Sequence, residues 1–362
     1  MPEISPASGR SYEASLELFM EQTQTGTTSS LLSVRNLSKV FDISGGLLDQ
    51  LQWQKGRMKR VKTLVKALNN VSFEIQPGET FSVVGESGCG KSTLGRTVIG
   101  LHPPNSGEVV YDAQRIDGLS ARQMLSYRKK MQMVFQDPYA SLNPRKRIRE
   151  ILEEPLRFHA PTLSPAELKE RIEEVMLQVG GDVQWLSRLP HEFSGGQRQR
   201  ISIARGLVVD PEFIVADEPI SALDVSIQAQ ILNLLLDAQE QRGLTYLFIA
   251  HDLSVVEHIS SRVAVMYLGT VCELARTRDL FTSPRHPYTR ALLSAIPRIG
   301  KKKTGHIKLK GEVPTPINLP PGCVFHGRCR YATEQCQHEF PELKTLDDGR
   351  SVACHAVEEG KI

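Results

Sequence analysis

The residues best equipped for chemistry lie in the run Gly85-Glu-Ser-Gly-Cys-Gly-Lys-Ser92. Glycines at 85, 88 and 90 allow unusual backbone dihedrals and bring N–H groups close to an anion. Lys91 is placed to reach the β- and γ-phosphates of a nucleotide, and the Ser92 hydroxyl to ligate Mg²⁺. Glu86, Ser87, Cys89 and Thr93 complete the loop around the phosphates. A second chemical centre is Asp217-Glu218. Asp217 suits Mg²⁺ held through water, and Glu218 suits polarisation of an attacking water. His251 is a candidate hydrogen-bond partner of a γ-phosphate, and Gln136 offers an uncharged amide to Mg²⁺ or water.

Four apolar runs must position these groups. Thr80-Phe-Ser-Val-Val84 reads as a strand entering the glycine loop, with a helix from Lys91 directing its positive dipole end at the same place. Phe213-Ile-Val-Ala-Asp217 reads as a central parallel strand that delivers its carboxylate to the C-terminal edge of a sheet. Thr245 to Ala250 is a third strand, ending in His251, and Met131 to Phe135 is a fourth, closed by Gln136. Their common position at strand ends makes these residues one site. Two adjacent acids can also simply cap the next element, but Pro219 and the turn Ser221-Ala-Leu-Asp224 follow directly. A phosphate loop alone leaves kinases, GTPases and motors open.

The segment Phe193-Ser-Gly-Gly-Gln-Arg-Gln-Arg200 narrows the field. With the glycine loop, Gln136, Ser194-Gly-Gly-Gln197, Asp217-Glu218, the Ser221–Asp224 turn and His251 all in order, the chain resembles the ATP-binding subunit of an ABC transporter. The resemblance implies an α/β fold: a P-loop NTPase ABC-type nucleotide-binding domain with an antiparallel β section, a helical subdomain and a small Cys-rich C-terminal extension. It also implies that Ser194, Gly195, Gly196 and Gln197 sit at a helix N-terminus and bind the γ-phosphate of ATP held by an opposite subunit. The residue types fit: the glycines let N–H groups approach phosphate, while Ser194 caps the helix and donates a hydrogen bond. Phe193 stands where the family usually has leucine, one apolar residue for another. Glu218, His251 and Gln136 are then the catalytic set of an active ATPase, Asp224 joins the nucleotide contacts, and Phe41 is the candidate to stack on adenine. Phe41 also reads simply as an apolar strand-end residue.

Length suggests one and a half to two domains in 362 residues. We expect an N-terminal tail over 1–30, Ser/Thr/Glu-rich, aperiodic and disordered. A nucleotide-binding domain over 31–282 and a C-terminal extension over 283–362 follow it. Within the domain, Leu31–Leu37 and Leu64–Ile75 predict an antiparallel section. It is interrupted by an insert at 44–62 that sets Lys55, Arg57, Lys59, Arg60 and Lys62 against Asp49, with Leu47, Leu48, Leu51 and Trp53. That insert suits a solvated hairpin or helix, or a surface resting on anionic lipid. The helical subdomain spans about 141–208, with a helix capped by Ser164 and an apolar stripe of Leu168, Ile172, Val175, Met176 and Val179. Contact with permeases would be transmitted through Asp137–Pro144. No apolar run spans a bilayer, and a net charge of +3 argues against an electrostatically driven nucleic-acid binder.

The tail beginning His286-Pro-Tyr-Thr-Arg resembles that of the dipeptide, oligopeptide and nickel importer branch. This implies a bacterial peptide importer, peripheral on the cytoplasmic face of the inner membrane. A homologous ATPase subunit, two transmembrane permeases and, indirectly, an external solute-binding protein would be its partners. Nickel, glutathione or another small solute is the alternative cargo, and a soluble non-transport ATPase the alternative class. Cys323, Cys329, Cys336 and Cys354 cluster in the tail with gaps of five, six and seventeen residues. The spacing does not match zinc knuckles and suits a four-iron, four-sulfur (4Fe–4S) cluster, which the branch also implies. Zn²⁺, mixed ligation with His326, His338 or His355, and free thiols are the alternatives. Cys89, inside the glycine loop, would expose ATP binding to thiol reagents.

Overall fold

The computed structural model describes residues 29–44, 51–54, 57–60, 62–296, 307–311, 314–317 and 319–362. Residues 1–28 of the tail expected over 1–30, and residues 45–50 of the insert, therefore lie outside the described residues. In chain order the strands are β1 (Leu32–Asp42), β2 (Leu51–Gln54), β3 (Arg57–Arg60), β4 (Leu64–Ile75), β5 (Thr80–Val84), β6 (Ser106–Tyr111) and β7 (Gln114–Arg115). There follow β8 (Met131–Val134), β9 (Phe213–Asp217), β10 (Thr245–Ala250), β11 (Arg262–Tyr267), β12 (Thr270–Arg276), β13 (Lys344–Thr345) and β14 (Ser351–Val352).

Strands β5, β9 and β10 are apolar along their length because both faces are covered; every residue in them is buried. They belong to an eight-stranded sheet ordered β13-β14-β12-β11-β5-β10-β9-β8. From β8 to β11 all neighbours are parallel, so the C-terminal ends of β5, β8, β9 and β10 share one edge. Beyond β11 the pairing becomes antiparallel. The end of the chain thus adds strands to the nucleotide sheet itself through Glu273↔Val352 and Leu274↔Ser351.

The antiparallel section expected from the sequence is the second sheet, ordered β4-β1-β6-β7. Its β1–β4 register runs from Leu32↔Ile75 to Asp42↔Leu64. The insert between these strands holds a hairpin, β2 with β3, in register Leu51↔Arg60 to Gln54↔Arg57. The lipid-facing alternative concerns side chains outside the described residues. Between β8 and β9 lie the helices, Pro165–Gln178 among them. Ser164 caps it by accepting the Glu167 N–H, and Leu168, Ile172, Val175 and Met176 face inward. That stripe joins the larger apolar core on one side of the central sheet, while a second core fills the space under the antiparallel sheet. Among the described residues, no helix is long and apolar enough to cross a membrane.

Candidate functional site: a phosphate loop ringed by strand ends

The loop 85–90 leaves β5 and feeds the helix Lys91–Val98, whose N-cap is Gly90 in a left-handed conformation (φ 102°). Lys91 is 4% exposed and folds back over the loop. Its Nζ donates to Gly85 O at 2.9 Å and Glu86 O at 3.2 Å, and lies 4.0 Å from Glu218 Oε1. One residue on, Ser92 Oγ donates to Asp217 Oδ1 at 2.7 Å. Asp217 is fully buried, and its other oxygen, Oδ2, has no hydrogen-bond partner among the described residues; Arg96 Nη2 lies 3.9 Å from it. Burial pushes the Asp217 carboxyl above the usual carboxylate range, against the opposing pull of Ser92 and Arg96. A desolvated carboxylate oxygen without a donor, beside a serine hydroxyl, is a donor set that fits Mg²⁺.

Glu218 follows in a left-handed backbone conformation (φ 45°), uncommon for a residue with a Cβ and a form of strain that collects at working sites. The turn is pinned by the Glu218 N–H to Ile249 O, 2.9 Å, across to β10. It directs the carboxylate to the centre of a ring. Gln136 Nε2 donates to Glu218 Oε2 at 3.0 Å, and His251 Nδ1 lies 3.1 Å from the same oxygen. Glu218 is 14% exposed and His251 55%, so the histidine faces solvent where a ligand would arrive.

Ser194 caps the helix Gly195–Leu207, as its residue type suggests, in a capping box with Gln197. The Gln197 N–H reaches Ser194 Oγ at 3.4 Å and the Ser194 N–H reaches Gln197 Oε1 at 2.9 Å. The bonds of this segment are internal, and Ser194 is exposed. At Gly196 an added Cβ would stand 2.6 Å from Ile227 Cγ2, so the segment sits tightly against the helix Val225–Arg242, whose N-cap is Asp224. The loop after Gln136 lies on the same serine-capped helix: the Arg198 guanidinium stacks over Tyr139 at 3.8 Å, and Arg205 donates to Ser141 O. Phe41, at the end of β1, is half-buried, edge-on to His102 at 5.5 Å and under Lys39 Nζ at 5.0 Å.

Sequence patterns of known families agree with this geometry. The ABC transporter pattern matches residues 68–221, and that of the oligopeptide/dipeptide transporter C-terminal region matches residues 272–336. The oligopeptide transport ATP-binding protein AppF of Bacillus subtilis is 50% identical over 330 residues, covering 90% of this chain and 97% of the relative. The chain belongs to the ABC transporter family. The dipeptide transport ATP-binding protein DppF of Escherichia coli is similar at 51% over 297 residues, covering 82% of this chain and 88% of the relative. Among solved structures, a dimeric bacterial ABC transporter cassette superposes with a TM-score of 0.59 at 28% identity, over 68% of this chain and 99% of the other. The ABC cassette fold therefore covers about two thirds of the chain.

The tail behaves differently from the sequence expectation. All four tail cysteines are free thiols, and all but Cys329 are buried. The Cys323 thiol is pushed up to about 12, by burial first and then by the neighbouring Cys336, Cys354 and Cys329. Yet no three His, Cys, Asp or Glu side chains among the described residues converge in a way that would hold a metal ion. The residues as placed thus do not form the expected 4Fe–4S or Zn²⁺ site. Cys89 is buried, and that burial raises its thiol further, so the expected sensitivity to thiol reagents loses its physical basis: thiolate and access are both lacking.

Two residues of this neighbourhood escaped sequence reasoning. Tyr288 Oη accepts the Glu86 N–H at 3.0 Å, and Arg328 pairs with the Glu86 carboxylate. A tyrosine just past a buried histidine and an arginine beside a cysteine carry no spacing that points to a loop over 200 residues earlier.

Proposed function

We propose that the chain is the ATP-hydrolysing subunit of a bacterial importer of peptides. The observation that carries this is the Glu218 ring: one carboxylate facing Lys91, Gln136 and His251, one residue beyond the buried Asp217–Ser92 pair. In this reading residues 85–93 wrap the phosphates, and Lys91 turns from its carbonyl partners to the β- and γ-oxygens. Mg²⁺ on Ser92 and Asp217, with Gln136 nearby, would supply charge neutralisation at those oxygens. Glu218 polarises the attacking water, and His251 steadies the γ-phosphate. Phe41 lies against the adenine.

Ser194 to Gln197 and Asp224 serve a nucleotide held by a homologous ATPase subunit, and two permeases with an external solute-binding protein complete the assembly. The solved cassette relative is described as a dimer, and the named relatives are oligopeptide and dipeptide transport proteins; both support the reading. The chain would sit peripherally on the cytoplasmic face of the inner membrane. Purification of the tagged chain from membranes tests this. Recovery of two permease chains and ATP-dependent peptide uptake support it, and uptake that persists when the chain is deleted overturns it.

For the tail, the four thiols carry the donor chemistry of a 4Fe–4S cluster but are not placed to hold one, so a cluster would require them to draw together from this arrangement. Iron and sulfide analysis of anaerobically purified protein decides it: about four irons per chain support the cluster, whereas zinc or no metal overturns it.

A further inference from the structure

The phosphate loop is gripped from outside as well as from within. Arg328 lies in the tail between Cys323 and Cys329. It donates from Nη1 to Glu86 Oε2 at 2.7 Å and from Nη2 to Glu86 Oε1 at 3.2 Å. This is a bidentate fork, the strong form of an arginine–carboxylate pair. Arg328 is 10% exposed and Glu86 26%, so water screens the pair poorly. Nη1 also reaches Tyr267 Oη at 3.4 Å, at the end of β11. The Glu86 N–H is taken by Tyr288 Oη, whose ring packs with Tyr267 and Phe325. The Glu86 carbonyl accepts from Lys91. One loop residue therefore has its carboxylate and its amide held by the C-terminal segment and its carbonyl held by the lysine meant for phosphate.

Electrostatics gives this grip a consequence. An unpaired carboxylate on the loop would repel a polyphosphate across a partly desolvated gap. It would also compete for Lys91. Arg328 neutralises that charge and fixes its direction. We propose that Arg328 is a positioning residue for nucleotide binding, through which the C-terminal segment sets the affinity of the phosphate loop for ATP. The proposal rests on the reading of residues 85–93 as the phosphate site.

The test is a titration of the full chain with a fluorescent ATP analogue and Mg²⁺. Arg328→Ala should raise Kd about fivefold or more, within the usual range of coupling between sites. It should raise the KM for ATP with kcat at saturation little changed. In the Glu86→Gln background the same substitution should have little effect, because the charge it unmasks is gone. Tyr288→Phe should raise Kd by less. A merely structural arginine would instead lower the melting temperature equally in both backgrounds and leave Kd alone. Lys91→Ala separates the two layers: binding that survives it sinks the phosphate-site reading itself. Lost binding in Lys91→Ala with unchanged Kd in Arg328→Ala overturns this inference, as does an Arg328→Ala penalty of equal size in the Glu86→Gln background. Should Arg328→Ala fail to fold, Arg328→Gln carries the same comparison.

Discussion

Alanine at Gly90 should weaken nucleotide binding severely, while alanine at Gly88 should weaken it far less. Both residues have positive φ, +102° and +80°. Holding a residue with a Cβ in that region costs about 1–2 kcal/mol. At Gly88 an added Cβ meets nothing within 4 Å among the described residues, so dihedral strain is the whole cost. At Gly90 it would stand 2.2 Å from the carbonyl oxygen of Ala67. That oxygen belongs to the backbone of β4 at a register shift, where Ala67 stands unpaired between Lys66↔Val40 and Leu68↔Lys39. The pairs on both sides limit how far that backbone can retreat, so the loop must shift, and Lys91 leaves its place over Gly85 O. Strain and displacement together come to about 3 kcal/mol or more. With 1.4 kcal/mol to a factor of ten, Gly88→Ala should bind ATP about five- to thirtyfold more weakly than the parent, and Gly90→Ala about a hundredfold or more weaker. Titration with a fluorescent ATP analogue and Mg²⁺ reads both, and thermal melts establish that both variants are folded. Equal dissociation constants for the two would refute the reasoning, since the backbone contact is what separates them.

The buried His286, which accepts the Tyr288 N–H on Nδ1, gives a pH signature. Burial pushes its pKa from 6.5 down to about 3. As pH falls through that window the unfolded chain takes up a proton that the folded chain refuses. Stability therefore declines on acidification, by at most about 1.4 kcal/mol per pH unit. His286→Asn should flatten this limb in urea midpoints measured across the window, and parallel curves for variant and parent would count against it. Asp217→Asn should weaken Mg²⁺-dependent ATP binding at least about tenfold, read by titrating Mg²⁺ at fixed nucleotide; an unchanged Mg²⁺ midpoint would remove Asp217 from the metal's donor set. Ser194→Ala removes a helix cap and should cost about 1 kcal/mol in urea unfolding, a cost that an unchanged midpoint would deny.

Local patterns carried most of the fold. Thr80–Val84, Phe213–Asp217 and Thr245–Ala250 are strands with the limits their apolar runs suggest, because strands covered on both faces leave an unbroken apolar signature. Met131–Val134 stops one residue short of Phe135, where the chain turns outward to place Gln136. The meeting of Lys91, Ser92, Asp217, Glu218, Gln136 and His251 was legible for a related reason: in a parallel sheet, residues at strand ends share an edge.

Pairing across distance was not legible. β13 and β14 are two residues each, too short to show alternation, yet they complete the central sheet. Glu273 is fully buried and accepts the Arg285 and His286 N–H groups at 2.8 Å, which is how the tail's first helix is docked. In the sequence it is one acid within a strand. The tail cysteines show the limit from the other side. Their number and clustering suggested a metal, but spacing cannot specify whether thiols converge. Phe41 is similar: Lys39 is its neighbour within β1, but His102 comes from the bend after the helix Lys91–Val98, and neither announces a ring stack.

The central claim is that Glu218 drives hydrolysis of ATP bound at the glycine loop. Glu218→Gln keeps a side chain of the same length and can still reach Gln136 and His251, but it cannot serve as a base. Measured with γ-labelled ATP and Mg²⁺ on the purified chain and its membrane complex, the variant is expected to retain bound, uncleaved ATP and release no phosphate above background. Phosphate release at the parent rate would contradict the account.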